Sequence, residues 1–213
     1  PDTDLGRRFY DLKDLDDKAI AKILFHKRKQ ESGHTEELRL AFQRIASLTY
    51  VDYRDGDLKL KTLTVPEHDE GQALAALFDT AKASDQLVTW SGGTVDLPLL
   101  RLRAMQHEVR ASGFWRRVEQ RPGFHLDLSH AVSAGSERAQ FSLDELSLAM
   151  GLPGLMGSAG LDPWQARLAG EFQQLRATTE LATVNLFALA LRHWFVTGAY
   201  PRKQLAAARK GLE

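Results

Sequence analysis

The stretch LVTWSGGTVDLPLLRLRAM, residues 87–105, sets the prediction of the fold. Its apolar run at 87–90 predicts a short buried strand, and the Ser-Gly-Gly sequence that follows predicts a tight turn. A leucine-rich helix is predicted from Asp96 to about Arg110. Strand, turn and helix in this order begin a strand-helix-strand unit, and ligands gather at the carboxyl ends of the parallel strands in such units. Asp96 therefore stands where a site is expected.

The rest of the chain predicts an α/β fold in which helices flank a mixed sheet. Asp-Gly at 55–56 is a strong hairpin signal between two β-rich runs, and a hairpin supplies antiparallel strands. Ser142 followed by Glu145 predicts a capping box at a helix start, and the C-terminal part is predicted to be helical. The predicted strands lie within 44–65, 87–90 and 123–130, and the helices at 16–31, 67–83, 96–110, from 142 and at 164–196 with one break.

The composition limits the class of protein. The chain has 213 residues, enough for one α/β domain, and its 28 Lys and Arg balance its 28 Asp and Glu. This balance provides no global basic field for binding nucleic acid, so such binding would need local patches. Cysteine is absent, which excludes disulfides and thiolate metal sites and is compatible with the cytoplasm. No apolar run is long enough to predict a membrane span.

Asp96 itself admits two interpretations. As a helix N-cap it would accept backbone N–H bonds and contribute about 0.5–2 kcal/mol relative to Ala. Pro98 supports the cap, since proline is favoured in the first turn of a helix. As a functional carboxylate it would bind Mg²⁺ or Mn²⁺ beside a phosphate, together with other carboxylates. A single Asp does not decide between these interpretations.

Several stretches, in order, resemble one family. TWSGGTVDLPLLRLRAM is similar to the second motif, roughly WNGxxFDLPxLxxRAL, of the predicted 3'-5' exonucleases related to the proofreading domain of B-family DNA polymerases. PDTDLGRRF resembles the segment after that family's first motif, and FHLDLSH resembles its HTDLMD strand. FSLDELSLAMGLPGLMG and LRATTELATVNLFALALRHWF resemble later segments. The resemblance implies a ribonuclease-H-like fold in a single domain over residues 1–213, acting on the 3' end of single-stranded DNA or RNA.

The resemblance also implies a set of catalytic positions. The family's four acids hold two divalent ions, Mg²⁺ or Mn²⁺. Asp96 matches the acid of the second motif, and Ser91 replaces that motif's Asn as a nucleic-acid contact. The first two acids belong to an Asp-x-Glu strand that is expected upstream of Pro1. In the third motif Thr178 takes the place of a Tyr, and Ala182 takes the place of the catalytic Asp.

Helix geometry describes the neighbourhood of Ala182. Leu175, Thr179, Ala182 and Leu186 repeat at spacings of four, three and four, so they are predicted to share an inward face. Glu180 is two residues from Ala182 and hence about 200° around the helix, which makes it a poor substitute for the missing acid. An alternative alignment with Glu180 as ligand would place Arg176 at the Tyr position, so the motif is broken in either alignment.

Further candidates lie on neighbouring segments. Asp127 matches an Asp of the family and is a candidate metal ligand; His125, two residues earlier on the same strand, is a candidate for metal or supporting contacts. The alternative for both is a structural role. Arg101 and Arg103 belong to a locally basic region suited to a phosphate backbone, although a solvated helix face is the better explanation of such residues. Leu155 stands where the family has a Lys. No Ser-His-Asp triad can be assigned.

Two functional hypotheses follow. The first is a metal-dependent 3'-5' exonuclease-like domain with a degenerate metal site and reduced or lost activity. The second is a catalytically inactive exonuclease-like module that binds nucleic acid or a protein partner. Ala182 and Thr178 favour the second hypothesis for the chemistry, whereas the ordered set of motifs defines the lineage.

Overall fold

A hairpin and a parallel pair of strands form the two sheets of the computed structural model, which describes residues 1–54, 56–64, 69–81, 86–136, 139–157 and 161–200. The strands are β1 (Ser47–Arg54), β2 (Asp57–Thr64), β3 (Leu87–Thr89) and β4 (His125–Asp127). β1 pairs antiparallel with β2, and β3 pairs parallel with β4. Both predicted strand types are therefore confirmed, although Asp55 of the turn lies outside the described residues. Within those residues the two pairs remain separate sheets, because β1 and β3 do not pair.

Helices surround these sheets. In chain order they are α1 (Thr3–Phe9), α2 (Asp17–Ser32), α3 (Glu70–Ala81), α4 (Asp96–Gln106), α5 (Ser112–Gln120), α6 (Leu128–Ser133), α7 (Leu143–Ala149), α8 (Pro163–Ala169) and α9 (Phe172–Val196). The capping box of Ser142 and Glu145 is present at the start of α7. The predicted break in the C-terminal helix is also present, at Gly170, whose φ of 74° ends α8. Across the described ranges, no helix is sufficiently long and apolar to span a membrane.

Two predicted elements are wrong in extent. The helix predicted to reach Arg110 ends at Gln106, because the chain turns at Glu108 with φ 55° and then starts α5, which the sequence did not predict. The strand predicted over 123–130 covers only β4, since Leu128 begins α6 directly after it. Leu128 is fully buried, so packing of its side chain supports this early start of the helix.

Helix α9 is the element on which both sheets pack. Phe187 and Leu191 contact the hairpin through Val51 and Tyr53. Leu189 and Ala190 instead belong to the core beneath the β3–β4 pair. Phe187 and Ala190 are three residues apart, which is about 60° around the helix. The two sheets therefore lie side by side on one side of α9.

The direction of α9 relative to β3 places the third-motif positions. Trp194 donates its indole N–H to the side chain of Gln86 at 2.9 Å, so the C-terminal end of α9 lies at the start of β3. From Gln86 to the turn after β3 the strand rises about 13 Å, equal to about nine helical residues. Ala182 and Thr178, on the earlier turns of α9, consequently lie toward the end of the molecule that carries Asp96.

A buried ion cluster joins α1, α3 and α4. The guanidinium of Arg103 is 1% exposed and binds both oxygens of Glu70, with Nε–Oε1 at 2.8 Å and Nη2–Oε2 at 2.5 Å. Its Nη1 donates to Oδ2 of Asp2 at 2.9 Å, and both carboxylates are almost fully buried. Glu70 also accepts the backbone N–H of Ile45 at 2.9 Å. The prediction that Arg103 contacts a phosphate backbone is therefore wrong, because the side chain is enclosed in the core and paired.

Candidate functional site

The turn between β3 and α4 is tightly built. Ser91, two residues after the end of β3, adopts a left-handed conformation, with φ 55°. A Cβ on Gly92 would lie 2.3 Å from Oγ1 of Thr89, which is closer than non-bonded atoms approach, so only glycine fits there. The Leu97 N–H donates to the Gly92 carbonyl at 2.8 Å and starts the helix. The Ser-Gly-Gly sequence therefore allows the chain to pass close to the side chain of Thr89 at the end of β3.

Asp96 is the first residue of α4 and does not cap it. The N-cap position is Val95, which makes no side-chain capping bond. The interpretation of Asp96 as the cap is therefore wrong, because the turn places it one position too late. Among the described residues no hydrogen bond reaches its carboxylate. Desolvation by the surrounding protein raises the pKa of Asp96, and the negative charge of Asp127 raises it further.

Asp127 lies at the end of β4 and faces the turn. Its Oδ1 accepts the Ser91 N–H at 3.0 Å, and its Oδ2 accepts the Gly93 N–H at 3.0 Å. The hydroxyl of Ser129 also donates to Oδ1 at 2.8 Å. Burial alone would raise the pKa of Asp127, but these bonds outweigh it and hold the pKa below its ordinary value. Both oxygens are thus engaged in holding the turn.

The neighbouring polar side chains are also engaged. The Ser91 hydroxyl lies 3.0 Å from that of Ser129, and Nε2 of His125 lies 2.8 Å from Oγ1 of Thr89. Burial lowers the pKa of His125, and the charge of Asp127 only partly opposes this effect. Ser91 and His125 are therefore parts of the packed turn, and their roles as nucleic-acid or metal contacts stay predictions.

Helix α9 carries the third-motif positions. The Thr178 hydroxyl donates to the helix carbonyl of Gln174 at 2.9 Å, and Ala182 is half-buried. Thr179 bonds with the Thr49 hydroxyl of β1 at 2.9 Å, in agreement with the predicted inward face. Glu180 accepts bonds of 2.8 Å from Thr62 of β2 and from Arg176. Glu180, the acid nearest to Ala182 in sequence, is consequently bound to the hairpin.

Arg101 lies on the outer surface of α4. Its guanidinium stacks over the ring of Trp115 at 4.3 Å and pairs with Glu119 at 2.6 Å. Both members of this ion pair are about half exposed, so the pair contributes little to stability. The residue is accessible to a phosphate, in contrast to Arg103, and its role there remains a prediction.

The described residues do not fit the two-metal arrangement that the resemblance implies. Within the described part of the chain, no group of three or more His, Asp or Glu side chains could hold a metal ion. Asp96 offers a carboxylate with no hydrogen-bond partner there, whereas both oxygens of Asp127 are used by the turn. Hard cations such as Mg²⁺ require several oxygen ligands, so Asp96 alone is insufficient.

The roles of two further residues, Ser129 and Asn185, were not predicted from the sequence. Ser129 supports Asp127, and the available signal was a serine two residues after an Asp at a strand end, a common side-chain turn pattern. Asn185, which matches the family's third motif, is 2% exposed and donates to the Gly154 carbonyl at 2.7 Å. It fixes the loop where the Leu155 N–H donates to Asp144 at 2.6 Å. At these two contacts the loop is therefore held by the neutral side chain of Asn185 and the acidic side chain of Asp144.

Comparison with known proteins identifies the relatives of the chain. Residues 35–212 match a family described as "Predicted 3'-5' exonuclease related to the exonuclease domain of PolB". The matched range contains every strand described above, together with the turn, Asp96 and α9. Neither the curated proteins nor the solved structures give a significant match.

Proposed function

The chain belongs to the family of predicted 3'-5' exonucleases related to the exonuclease domain of PolB, and from this premise we propose that it is an exonuclease-like domain accepting the 3' end of a single-stranded nucleic acid. The observation that carries the proposal is the position of Asp96. Its carboxylate lies beyond the carboxyl end of a parallel strand, where sites of α/β folds gather, and has no hydrogen-bond partner among the described residues.

The proposed domain has one ribonuclease-H-like mixed sheet. β1 and β2 run side by side on α9, and Glu180 contacts β2 about 100° around the helix from Thr179, which contacts β1. Phe187, which contacts β1, and Ala190, below the β3–β4 pair, lie about 60° apart around the same helix. In the proposed sheet, the edge of β1 away from β2 faces the parallel pair. A strand between them, antiparallel to β1 and parallel to β3, would join the two sheets.

That joining strand is expected from outside the described residues, and the resemblance assigns to it the Asp-x-Glu acids. Its acids and Asp96 would then share one end of the sheet. Ala182 supplies no ligand at the fourth position, and Thr178 is too short to reach as far as a Tyr. We therefore propose that hydrolysis by this domain is reduced or lost, with Mg²⁺ or Mn²⁺ as the ion in any residual activity.

A catalytically inactive module is the second candidate, and Ala182 favours it. Removing one charged ligand weakens a site for a hard cation, whereas binding a strand by stacking and phosphate contacts does not need that ligand. Such a module would bind single-stranded nucleic acid or a protein partner.

Release of a 3' label distinguishes the two candidates. Single-stranded DNA and RNA carrying a 3' label are incubated with Mn²⁺ and the wild-type chain, Asp96→Ala, or Asp14→Ala. Asp14 is an exposed acid in the loop after α1 and serves as the matched control. Release by the wild type and Asp14→Ala but not by Asp96→Ala supports a residual exonuclease. Equal release by all three would exclude Asp96 from the chemistry.

Binding decides the remaining case. If no label is released, the affinity for the same strands is measured between about 50 and 200 mM salt. Removing one cation that binds a phosphate is expected to reduce the slope of log affinity against log salt by about 0.7 for single strands. Arg101→Gln tests the accessible guanidinium on α4. The absence of salt-dependent binding would leave a protein partner as the ligand class.

A further inference from the structure

Asp127 and Ser129 hold both arms of the turn that carries the chain from β3 into α4. The Asp127 carboxylate bridges two backbone N–H groups, of Ser91 and of Gly93, with one oxygen on each at 3.0 Å. Hydrogen bonds to a charged acceptor are stronger than bonds between neutral groups. A single side chain at the end of β4 thus closes the turn that follows β3.

The direction of each bond in this network is fixed by the number of protons. Ser129 has one hydroxyl proton, and it donates that proton to Asp127 at 2.8 Å. In the 3.0 Å contact between the two serine hydroxyls, Ser91 is consequently the donor and Ser129 the acceptor. The Ser91 N–H also points at the Ser129 oxygen, at 3.2 Å. These contacts oppose the strain of the left-handed conformation of Ser91, which residues other than glycine rarely adopt.

Close packing keeps the Asp127 carboxylate against the turn. A Cβ on Gly93 would lie 3.3 Å from Oδ2 of Asp127 and 3.7 Å from the His125 ring. Because Gly93 has no side chain, its backbone N–H reaches the carboxylate directly. Three residues later the same segment enters α4 at Asp96, so the geometry of the turn fixes the entry point of the helix and of its first carboxylate.

We propose that Asp127 is a positioning residue: with Ser129 it fixes the turn that places Asp96 in the site, and it is not itself a ligand of metal or substrate. The role of Asp96 rests on the proposed function, whereas the hold of Asp127 on the turn, here called the clamp, does not. Separate measurements test the clamp, the absence of a ligand role for Asp127 and the role of Asp96.

The first measurement is amide hydrogen exchange by NMR on the wild type, Asp127→Asn and Ser129→Ala. Asn has one carbonyl oxygen in place of two carboxylate oxygens, so it can accept from only one of the two turn amides. The proposal expects exchange at Ser91, at Gly93 or at both to accelerate by about tenfold or more in Asp127→Asn, since at least one of the two N–H groups loses its acceptor. The Leu87 N–H, which donates to the Phe124 carbonyl at 2.6 Å, is the internal control and should remain unchanged.

Ser129→Ala should accelerate exchange at Ser91 more than at Gly93, because only Ser91 contacts the Ser129 hydroxyl. Unchanged exchange at both turn amides in Asp127→Asn would overturn the clamp. Acceleration at Leu87 to the same extent would also overturn it, since the effect would then be general unfolding.

The second measurement distinguishes a positioning residue from a ligand. Exchange at Ser91 and Gly93 is measured in the wild type with and without Mg²⁺, which is diamagnetic and leaves nearby amide resonances observable. A metal on Asp127 would compete with the turn N–H groups for the same carboxylate charge, so accelerated exchange at Ser91 or Gly93 with Mg²⁺ would overturn the proposal. Retained protection supports it.

Label release then tests the function through Asp96. If the wild type is active, Asp127→Asn should lower kcat more than it raises KM, with Asp14→Ala unaffected. A kcat unchanged from the wild type would overturn the positioning role. If the wild type releases no label, the proposed hydrolysis fails. The positions of the Asp96 and Leu97 amide resonances in Asp127→Asn still report displacement of the helix start. Unshifted resonances would overturn the positioning role.

Discussion

Replacing Arg103 with Met is expected to destabilise the fold by about 3–5 kcal/mol at pH 7, the range for removing one partner of a buried ion pair. Arg103 is 1% exposed and makes three charged bonds, two to Glu70 and one to Asp2. Met fills a similar apolar volume, so the main effect is removal of the cation between two buried carboxylates. Such a change is a large part of the 5–15 kcal/mol that stabilises a typical domain.

The pH dependence of this destabilisation identifies its cause. In the wild type, burial would raise the pKa values of Asp2 and Glu70, but hydrogen bonds hold both pKa values below their ordinary values. Asp2 accepts these bonds from the Leu5 N–H and Arg103, and Glu70 accepts them from Arg103 and the Ile45 N–H. A carboxylate whose pKa is lower in the folded state than in the unfolded state stabilises the fold at pH values above its unfolded pKa, which is near 4. This stabilisation is lost as the pH falls through the lower pKa of the folded state.

In Arg103→Met the carboxylates of Asp2 and Glu70 remain buried without the Arg103 cation, so their pKa values should rise. Protonation of these carboxylates should then reduce the destabilisation of the variant. The stability difference from the wild type is therefore expected to shrink between pH 7 and about pH 4. Urea unfolding at both pH values measures it, with Arg101→Met, on the exposed side of the same helix, as the control that changes by less than about 1 kcal/mol. A difference below about 1 kcal/mol at pH 7, or an equal one at pH 4, would refute the ionic role of the cluster.

Three further substitutions test local features by thermal unfolding. Ala134→Gly should stabilise the fold by about 1 kcal/mol, because Ala134 ends α6 at φ 48° in an exposed position; a lower melting temperature would contradict this. Gly92→Ala should destabilise it by about 1–3 kcal/mol through the 2.3 Å approach to Thr89, and an unchanged melting temperature would show that the turn shifts freely. Asn185→Leu should cost about 1–3 kcal/mol by leaving the Gly154 carbonyl without its buried donor, and a neutral result would mean that another donor replaces it.

Local signals in the sequence predicted the elements with short-range causes. The Asp-Gly dipeptide gave the hairpin, Ser142 and Glu145 gave a helix start, and Gly170 interrupts the C-terminal helix where one break was expected. Each of these features depends on residues within a few positions of one another. The lineage was also predictable, because several motifs occur in the family's order.

Features with long-range causes were not predictable from local pattern. Arg103 resembles a surface cation on a basic helix, and its burial is decided by Asp2, which is 101 positions away, and Glu70, which is 33 positions away. Asp96 resembles a cap, but the bonds of Asp127 to the turn place the helix start one residue earlier. In both cases a partner distant in sequence overrides the local preference.

The placement of both sheets on α9 also has a consequence for synthesis of the chain. The bond between Thr49 and Thr179 joins residues 130 positions apart, whereas the hairpin pairs residues as close in sequence as Arg54 and Asp57. Contacts so distant in sequence form slowly, because the loop between them must be closed first. A growing chain therefore exposes two apolar sheet surfaces, around Val51 and Val88, until α9 has left the ribosome. During that interval the exposed apolar surface makes the unfinished protein prone to aggregation.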